Sequence, residues 1–237
     1  MILSGGLGTR LGAIAQDVPK AMVPVAGAPF IDHQLRLLAA RSVKRVILCV
    51  SHKQEQIERH VEDGARFGLQ VQYSYDGKTR LGTGGAVRKA LPLVGDEFAV
   101  LYGDTYLNID FCKVYDSYKQ SGARGLMTVL ANANRWGKSN ILFNDGRIHR
   151  YEKDNPNDQM KHIDYGLILL SAEAVRAFDG PESFDLTTLF QYMISAGQMA
   201  GHEVFQRFYE IGSPGALEET ESYLRLIGSA PEREPAS

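Results

Sequence analysis

Directly behind the short apolar stretch Met1-Ile2-Leu3 runs Ser4-Gly5-Gly6-Leu7-Gly8-Thr9-Arg10-Leu11-Gly12. Glycines, a serine and a threonine packed behind a strand let successive backbone N–H groups turn toward one point, which suits phosphate oxygens. Arg10 adds a planar, permanently charged fork that can hold such oxygens in pairs. Two common phosphate loops are excluded by counting. A dinucleotide fingerprint begun at Gly6 finds its second glycine at Gly8 but meets Leu11 where the third is required. A P-loop needs Lys-Ser or Lys-Thr after its last glycine, and none follows. A plain tight turn is the competing reading, and the density of Gly, Thr and Arg weighs against it.

Three further segments bear groups able to do chemistry. Leu81-Gly82-Thr83-Gly84-Gly85-Ala86 opens a helical stretch, where small residues let a flat base approach and helix-start N–H groups are free. Gly103-Asp104 closes the apolar run Val100-Leu101-Tyr102, which places a carboxylate at a strand end. Tyr151-Glu152-Lys153 follows a hairpin pattern and reads either as a polar pocket or as a surface ion pair worth under about 1 kcal/mol. The six histidines, at 33, 52, 60, 149, 162 and 202, show no metal-ligand spacing. No Gly-x-Ser-x-Gly elbow announces a serine nucleophile. Cations, glycines and carboxylates are therefore present without an obvious general base.

The elements that must position these groups alternate in the first half. The pattern predicts a strand stub at Ile2-Leu3, a helix over 30–41, a strand over 43–50, a helix over 54–67 and a strand over 69–75. A helix over 84–91, a strand over 98–102, a helix over 111–121 and a strand over 125–131 follow. This rhythm implies an α/β fold, Rossmann-like, with a mostly parallel sheet and helices on both faces. Ligands bind such sheets at the carboxyl ends of strands, where the loop at Ser4 and the Gly103-Asp104 pair both fall. The second half reads as a small β-hairpin part, 139–143 and 147–152 joined through Asp145-Gly146. A strand over 163–170, helices over 172–178 and 185–196, short strands over 202–205 and 208–211 and a helix over 214–226 complete it. Residues 1–227 read as one domain, and the Pro-, Glu- and Ser-rich segment 228–237 as a disordered tail. The first strand is short for a parallel sheet, and the start of the chain is the one oddity of the pattern.

Ser4 to Leu11, then Val18-Pro19-Lys20, then Val23-Pro24-Val25 resemble the signature of sugar-1-phosphate nucleotidylyltransferases, especially heptose- and mannose-1-phosphate guanylyltransferases. The resemblance runs from Met1 to about Leu226. It implies transfer of a nucleoside monophosphate from a nucleoside triphosphate to a sugar 1-phosphate, releasing pyrophosphate. GTP with a heptose or mannose 1-phosphate is the foremost pair, and a UTP-dependent enzyme or a sensor without turnover the alternative. By the same resemblance Leu3, Ser4, Gly5, Gly6, Gly8, Thr9, Gly82, Thr83 and Gly84 bind the nucleotide. Arg10 steadies the leaving pyrophosphate, Lys20 the α-phosphate, and Lys153 the incoming phosphate. Gly137, Glu152, Lys153, Asp164 and Gly166 form the sugar pocket, with Trp136 bringing backbone to it or serving the core. Asp104 holds Mg²⁺. Glu210, in Glu210-Ile211-Gly212-Ser213-Pro214, stands where the family has Asp; it could ligate the same metal or cap the following helix. Asp164-Tyr165-Gly166 likewise departs from the family's usual Asn before glycine.

The composition is that of an ordinary globular protein, 44% hydrophobic and 23% charged over 237 residues. A formal net charge of −2 argues against a nucleic-acid partner. No apolar run approaches membrane-spanning length. Cys49, in an apolar strand pattern, reads as a core thiol, and two isolated cysteines make no disulfide scaffold, so a cytoplasmic protein is expected. A homo-oligomer is left open.

Overall fold

The computed structural model describes residues 1–6, 8–77 and 79–228. Leu7 of the glycine loop and nearly all of the expected disordered tail lie outside the described residues. In chain order the strands are β1 (Ile2–Leu3), β2 (Pro24–Val25), β3 (Ala28–Pro29), β4 (Arg45–Val50), β5 (Gln70–Tyr75), β6 (Glu97–Tyr102) and β7 (Thr105–Tyr106). Then come β8 (Gly125–Ala131), β9 (Ile141–Asn144), β10 (Arg147–Tyr151), β11 (His162–Ser171), β12 (Met199–Val204) and β13 (Tyr209–Glu210). The α-helices are α1 (Phe30–Ala40), α2 (Gln54–Val61), α3 (Gly82–Ala90), α4 (Phe111–Ser121), α5 (Ala172–Ala177), α6 (Leu186–Ser195) and α7 (Pro214–Gly228).

Nine strands form one sheet in the order β5-β4-β1-β6-β11-β8-β12-β10-β9. Side chains alternate across it with period two. Val46, Leu48 and Val50 pack with α1, α2 and α4 on one face, whereas Ile47 and Cys49 meet α3 on the other. Along β11, Leu167 and Leu169 join the first face, and Ile168 and Leu170 join α5 and α6 on the second. Helices thus cover both faces, as the rhythm implied.

The sheet is mixed, which corrects the expectation of a mostly parallel one. β5–β4, β4–β1, β1–β6 and β8–β12 are parallel. β6–β11, β11–β8, β12–β10 and β10–β9 are antiparallel. Strand direction reverses at β11, which enters between β6 and β8 with the apolar run Leu167-Ile168-Leu169-Leu170. Such a run marks burial on both faces and is blind to direction. The hairpin forms as predicted, with Asp145 and Gly146 both at positive φ (48° and 72°) in the two-residue turn between β9 and β10. α2 stops at Val61 rather than 67, because Glu62 leaves the helix at φ 54° and a 3-10 turn, Ala65–Phe67, takes over. β12 begins three residues earlier than expected, at Met199.

Candidate active site

β1, β4 and β6 end side by side, and their carboxyl ends open a cavity of about 400 Å³. Its wall includes Leu3, Ser4, Gly5, Gly6, Gly8, Thr9, Arg10, Lys20, Gly82, Thr83 and Asp104, so segments scattered over a hundred residues converge. Ser4 is buried, and its Oγ has no hydrogen-bond partner among the described residues. A buried hydroxyl left unpaired is costly, and an anion in the cavity would relieve it.

Lys20 stands on the 3-10 turn Lys20–Met22 that follows extended Pro19. Its ammonium donates to Asp104 Oδ2 at 2.5 Å. Asp104 itself is set by close backbone packing. A Cβ at Gly103 would lie 2.5 Å from Leu3 O, so only glycine lets the chain turn there beside β1. Gln34, buried on α1, donates to Tyr102 O at 2.9 Å and Thr105 O at 2.8 Å, one carbonyl on each side of Gly103-Asp104.

β13 pairs with β7, placing Glu210 opposite Thr105, and Ile211 N donates to Asp104 O at 3.0 Å. Both expected metal ligands are thereby brought together. Burial, and the Asp104 charge after it, push the Glu210 carboxyl up, against the pull of the Gly212 N–H and of Lys20 and Arg10. Glu210 Oε2 accepts from Gly212 N at 2.6 Å, ahead of α7. Two carboxylates, one already neutralised by an ammonium, are a donor set that suits a hard dication sharing its remaining positions with phosphate. Among the described residues no group of three or more His, Cys, Asp or Glu side chains is assembled for a metal, so these two would act with substrate oxygens.

The helix-start loop behaves differently from the expectation of free N–H groups. Gly84 N and Gly85 N both donate to Phe184 O, at 2.9 and 3.3 Å, and Leu186 N donates to Thr83 Oγ1 at 2.8 Å. Gly84 therefore lies behind the cavity wall, while Gly82 and Thr83 line it.

Beside the cavity, Asp164 Oδ2 accepts from Tyr102 Oη at 3.0 Å and Tyr151 Oη at 3.4 Å, and its Oδ1 accepts from Gly166 N at 2.9 Å. Burial outweighs these bonds and pushes its carboxyl up to about 6. Lys153 Nζ donates to Asp185 Oδ2 at 3.1 Å. Glu152 pairs with Arg150 at 3.1 Å, and none of Gly137, Glu152, Lys153, Asp164 and Gly166 lines the cavity. Trp136 packs at the edge of the core, under the guanidinium groups of Arg135 and Arg207. Sequence reasoning passed over Asp76, Arg80, Tyr102 and Asp185, all on the cavity wall. Asp185 carried a signal only as the first residue of a predicted helix, and the structure makes it the N-cap. Cys49, expected in the core, is buried there and its thiol is pushed up to about 12 by burial.

A family model described as nucleotidyl transferase matches residues 1–222. The chain is 34% identical over 191 residues to a D-glycero-alpha-D-manno-heptose 1-phosphate guanylyltransferase of Campylobacter jejuni, covering 81% of this chain and 84% of that protein. It is 29% identical to the mannose-1-phosphate guanylyltransferase catalytic subunit beta of Danio rerio, covering 90% of this chain and 61% of the relative. Identity to a UTP–glucose-1-phosphate uridylyltransferase of Synechocystis is 27%, over 83% of this chain and 55% of the relative. The chain thus spans between half and two thirds of those two longer proteins. The crystal structure of HddC from Yersinia pseudotuberculosis complexed with GMP-PN superposes with a TM-score of 0.78 at 26% identity, over 94% of this chain and 97% of that one.

Proposed function

The chain belongs to the nucleotidyl transferase family, and from that premise we propose that it transfers GMP from GTP to a heptose or mannose 1-phosphate, with Mg²⁺ as its metal. That it is a sugar-1-phosphate nucleotidyltransferase follows from the family match and the relatives. The base, the sugar and the metal are the proposal. The observation behind it is a cavity that gathers the glycine loop, Arg10, Lys20 and Asp104 around a buried Ser4 hydroxyl without a partner among the described residues. Guanine is favoured because the Campylobacter relative is named a guanylyltransferase and HddC was solved with GMP-PN.

In this reading an oxygen of the sugar 1-phosphate forms a bond to the α-phosphorus. The bond from that phosphorus to the bridging oxygen breaks, and pyrophosphate leaves with the electron pair. The attacking phosphate has a second pKa of about 6 and is already anionic, so no general base is needed. Arg10 holds the leaving phosphates, Lys20 offsets charge at the α-phosphate, and Lys153 holds the incoming phosphate. Asp104 and Glu210 would hold the divalent cation, which when bound neutralises and aligns the two anions. Catalysis is positioning and charge neutralisation, in keeping with a site that lacks a histidine base.

The test is pyrophosphate release from GTP, UTP, CTP, ATP and dTTP, each paired with heptose, mannose and glucose 1-phosphates, with and without Mg²⁺. Metal-dependent release preferring GTP with heptose or mannose 1-phosphate is expected. Preference for UTP with glucose 1-phosphate would replace this reading by the uridylyltransferase one.

A further inference from the structure

We infer that Asp185, which no sequence motif marks, is the residue that positions Lys153 for the sugar phosphate and ties the sugar side of the site to the nucleotide side. The inference rests on the sugar-transfer reading above.

Asp185 sits where three structural units meet. It is the N-cap of α6, with Oδ1 accepting from Thr187 N at 2.9 Å and Thr187 Oγ1 at 2.7 Å. Its second oxygen, Oδ2, holds the Lys153 ammonium at 3.1 Å, just past the end of β10. Asp185 also lines the nucleotide cavity, whereas Lys153 and Glu152 do not. Asp185 is therefore the point at which the hairpin's cation is pulled toward the cavity.

The residues flanking Asp185 are fastened to the nucleotide loop. Phe184 O accepts from Gly84 N and Gly85 N, and Phe184 N donates to Leu81 O at 2.9 Å. Leu186 N donates to Thr83 Oγ1 at 2.8 Å. From the other side, Arg88 of α3 donates to Phe178 O, Gly180 O and Pro181 O at 2.8–2.9 Å. Farther along α6, Gln191 Nε2 donates to Tyr151 O at 3.1 Å, which fixes β10 against the same helix. The placement of Lys153 is thus referred to the loop that would carry the nucleoside.

The carboxylate is held in its charged form. Burial pushes it up, but the Thr187 hydrogen bonds and the Lys153 ammonium outweigh burial and bring it below the usual value. An exposed lysine has many rotamers, and a fixed carboxylate that selects one of them removes that search from the reaction.

The test uses Asp185→Asn in the full chain. Asparagine is as good an N-cap as aspartate, so α6 keeps its cap and only the ion pair is lost. The expected result is a KM for sugar 1-phosphate raised about tenfold, a larger change than in the calorimetric affinity for the nucleotide, whose cavity Asp185 also lines. Asp185→Glu recovers part of the loss. In a Lys153→Gln background the Asp185→Asn change adds less than about twofold, because the two residues act as one unit. An unchanged sugar KM, or an equal effect with and without Lys153, overturns the inference while leaving the transferase reading intact. A wild-type protein that turns over no sugar 1-phosphate fails the reading itself, and the inference falls with it.

Discussion

In the proposed reaction Lys20 is the residue on which the chemistry would turn most directly, since its ammonium lies against Asp104 and the residue lines the cavity wall. A cation aimed at developing charge contributes on the order of 10²–10³ in rate, so Lys20→Ala should lower kcat by about that factor in a pyrophosphate-release assay. A loss below about fivefold would place Lys20 outside the chemistry. Asp164 makes a second residue-scale prediction. Its carboxyl rises from 3.8 to about 6 through burial, so the folded protein favours the protonated acid. Its contribution to stability is therefore fully present below about pH 4 and lost as the pH rises through 6. Wild type should lose on the order of 2 kcal/mol relative to Asp164→Asn between pH 4 and 7 in denaturant titrations. A difference independent of pH would show that Asp164 is not desolvated. At this scale the glycine loop, Arg10 and Asp104 were legible because their meaning is local: residue types behind a strand. Asp185 was not, since its role depends on Lys153, thirty-two residues away, and on the fastening of its neighbour Leu186 to Thr83, about a hundred away.

At the scale of elements, α1 braces the turn between β6 and β7 through Gln34. Gln34→Leu keeps the volume but leaves Thr105 O without the Gln34 amide and Tyr102 O with only the Thr105 hydroxyl as side-chain donor, at a cost of about 1–3 kcal/mol. Equilibrium unfolding should read that loss, and Mn²⁺ affinity of the nucleotide complex, followed by electron paramagnetic resonance, should weaken as Asp104 loosens. Destabilisation with unaltered metal affinity would mean that the brace serves packing alone. The helices and the hairpin could be read from periodicity and from Asp145-Gly146, because both signals are short-range. The direction of β11 could not, since a strand buried on both faces shows the same apolar run whether its neighbours are parallel or not. The end of α2 was missed for a related reason. The spacing of Ile57, Val61 and Ala65 continues a helical stripe past a residue whose backbone has already left the helix.

For the molecule as a whole, the sheet sets the parallel strands β1, β4 and β6 beside the antiparallel insertion of β11, and the cavity opens at the carboxyl ends of the three parallel strands. The nucleotide loop and Lys20 belong to the parallel half. Asp164, Lys153 and Asp185 come from β11, the hairpin and α6, in the mixed half. Two anionic substrates brought from two halves of one sheet require charge neutralisation between them, which is why activity should vanish on treatment with EDTA and return with Mg²⁺ in excess. Activity that survives chelation would remove Asp104 and Glu210 from a metal role. Among the described residues no helix is long and apolar enough to cross a membrane. The most direct measurement is ³¹P NMR of the protein mixed with GTP, Mg²⁺ and a heptose or mannose 1-phosphate. Paired growth of pyrophosphate and of a nucleoside diphosphate sugar, in equal amounts, is expected. Orthophosphate with GDP, or pyrophosphate with free GMP, would contradict it by showing transfer to water instead of to the sugar phosphate.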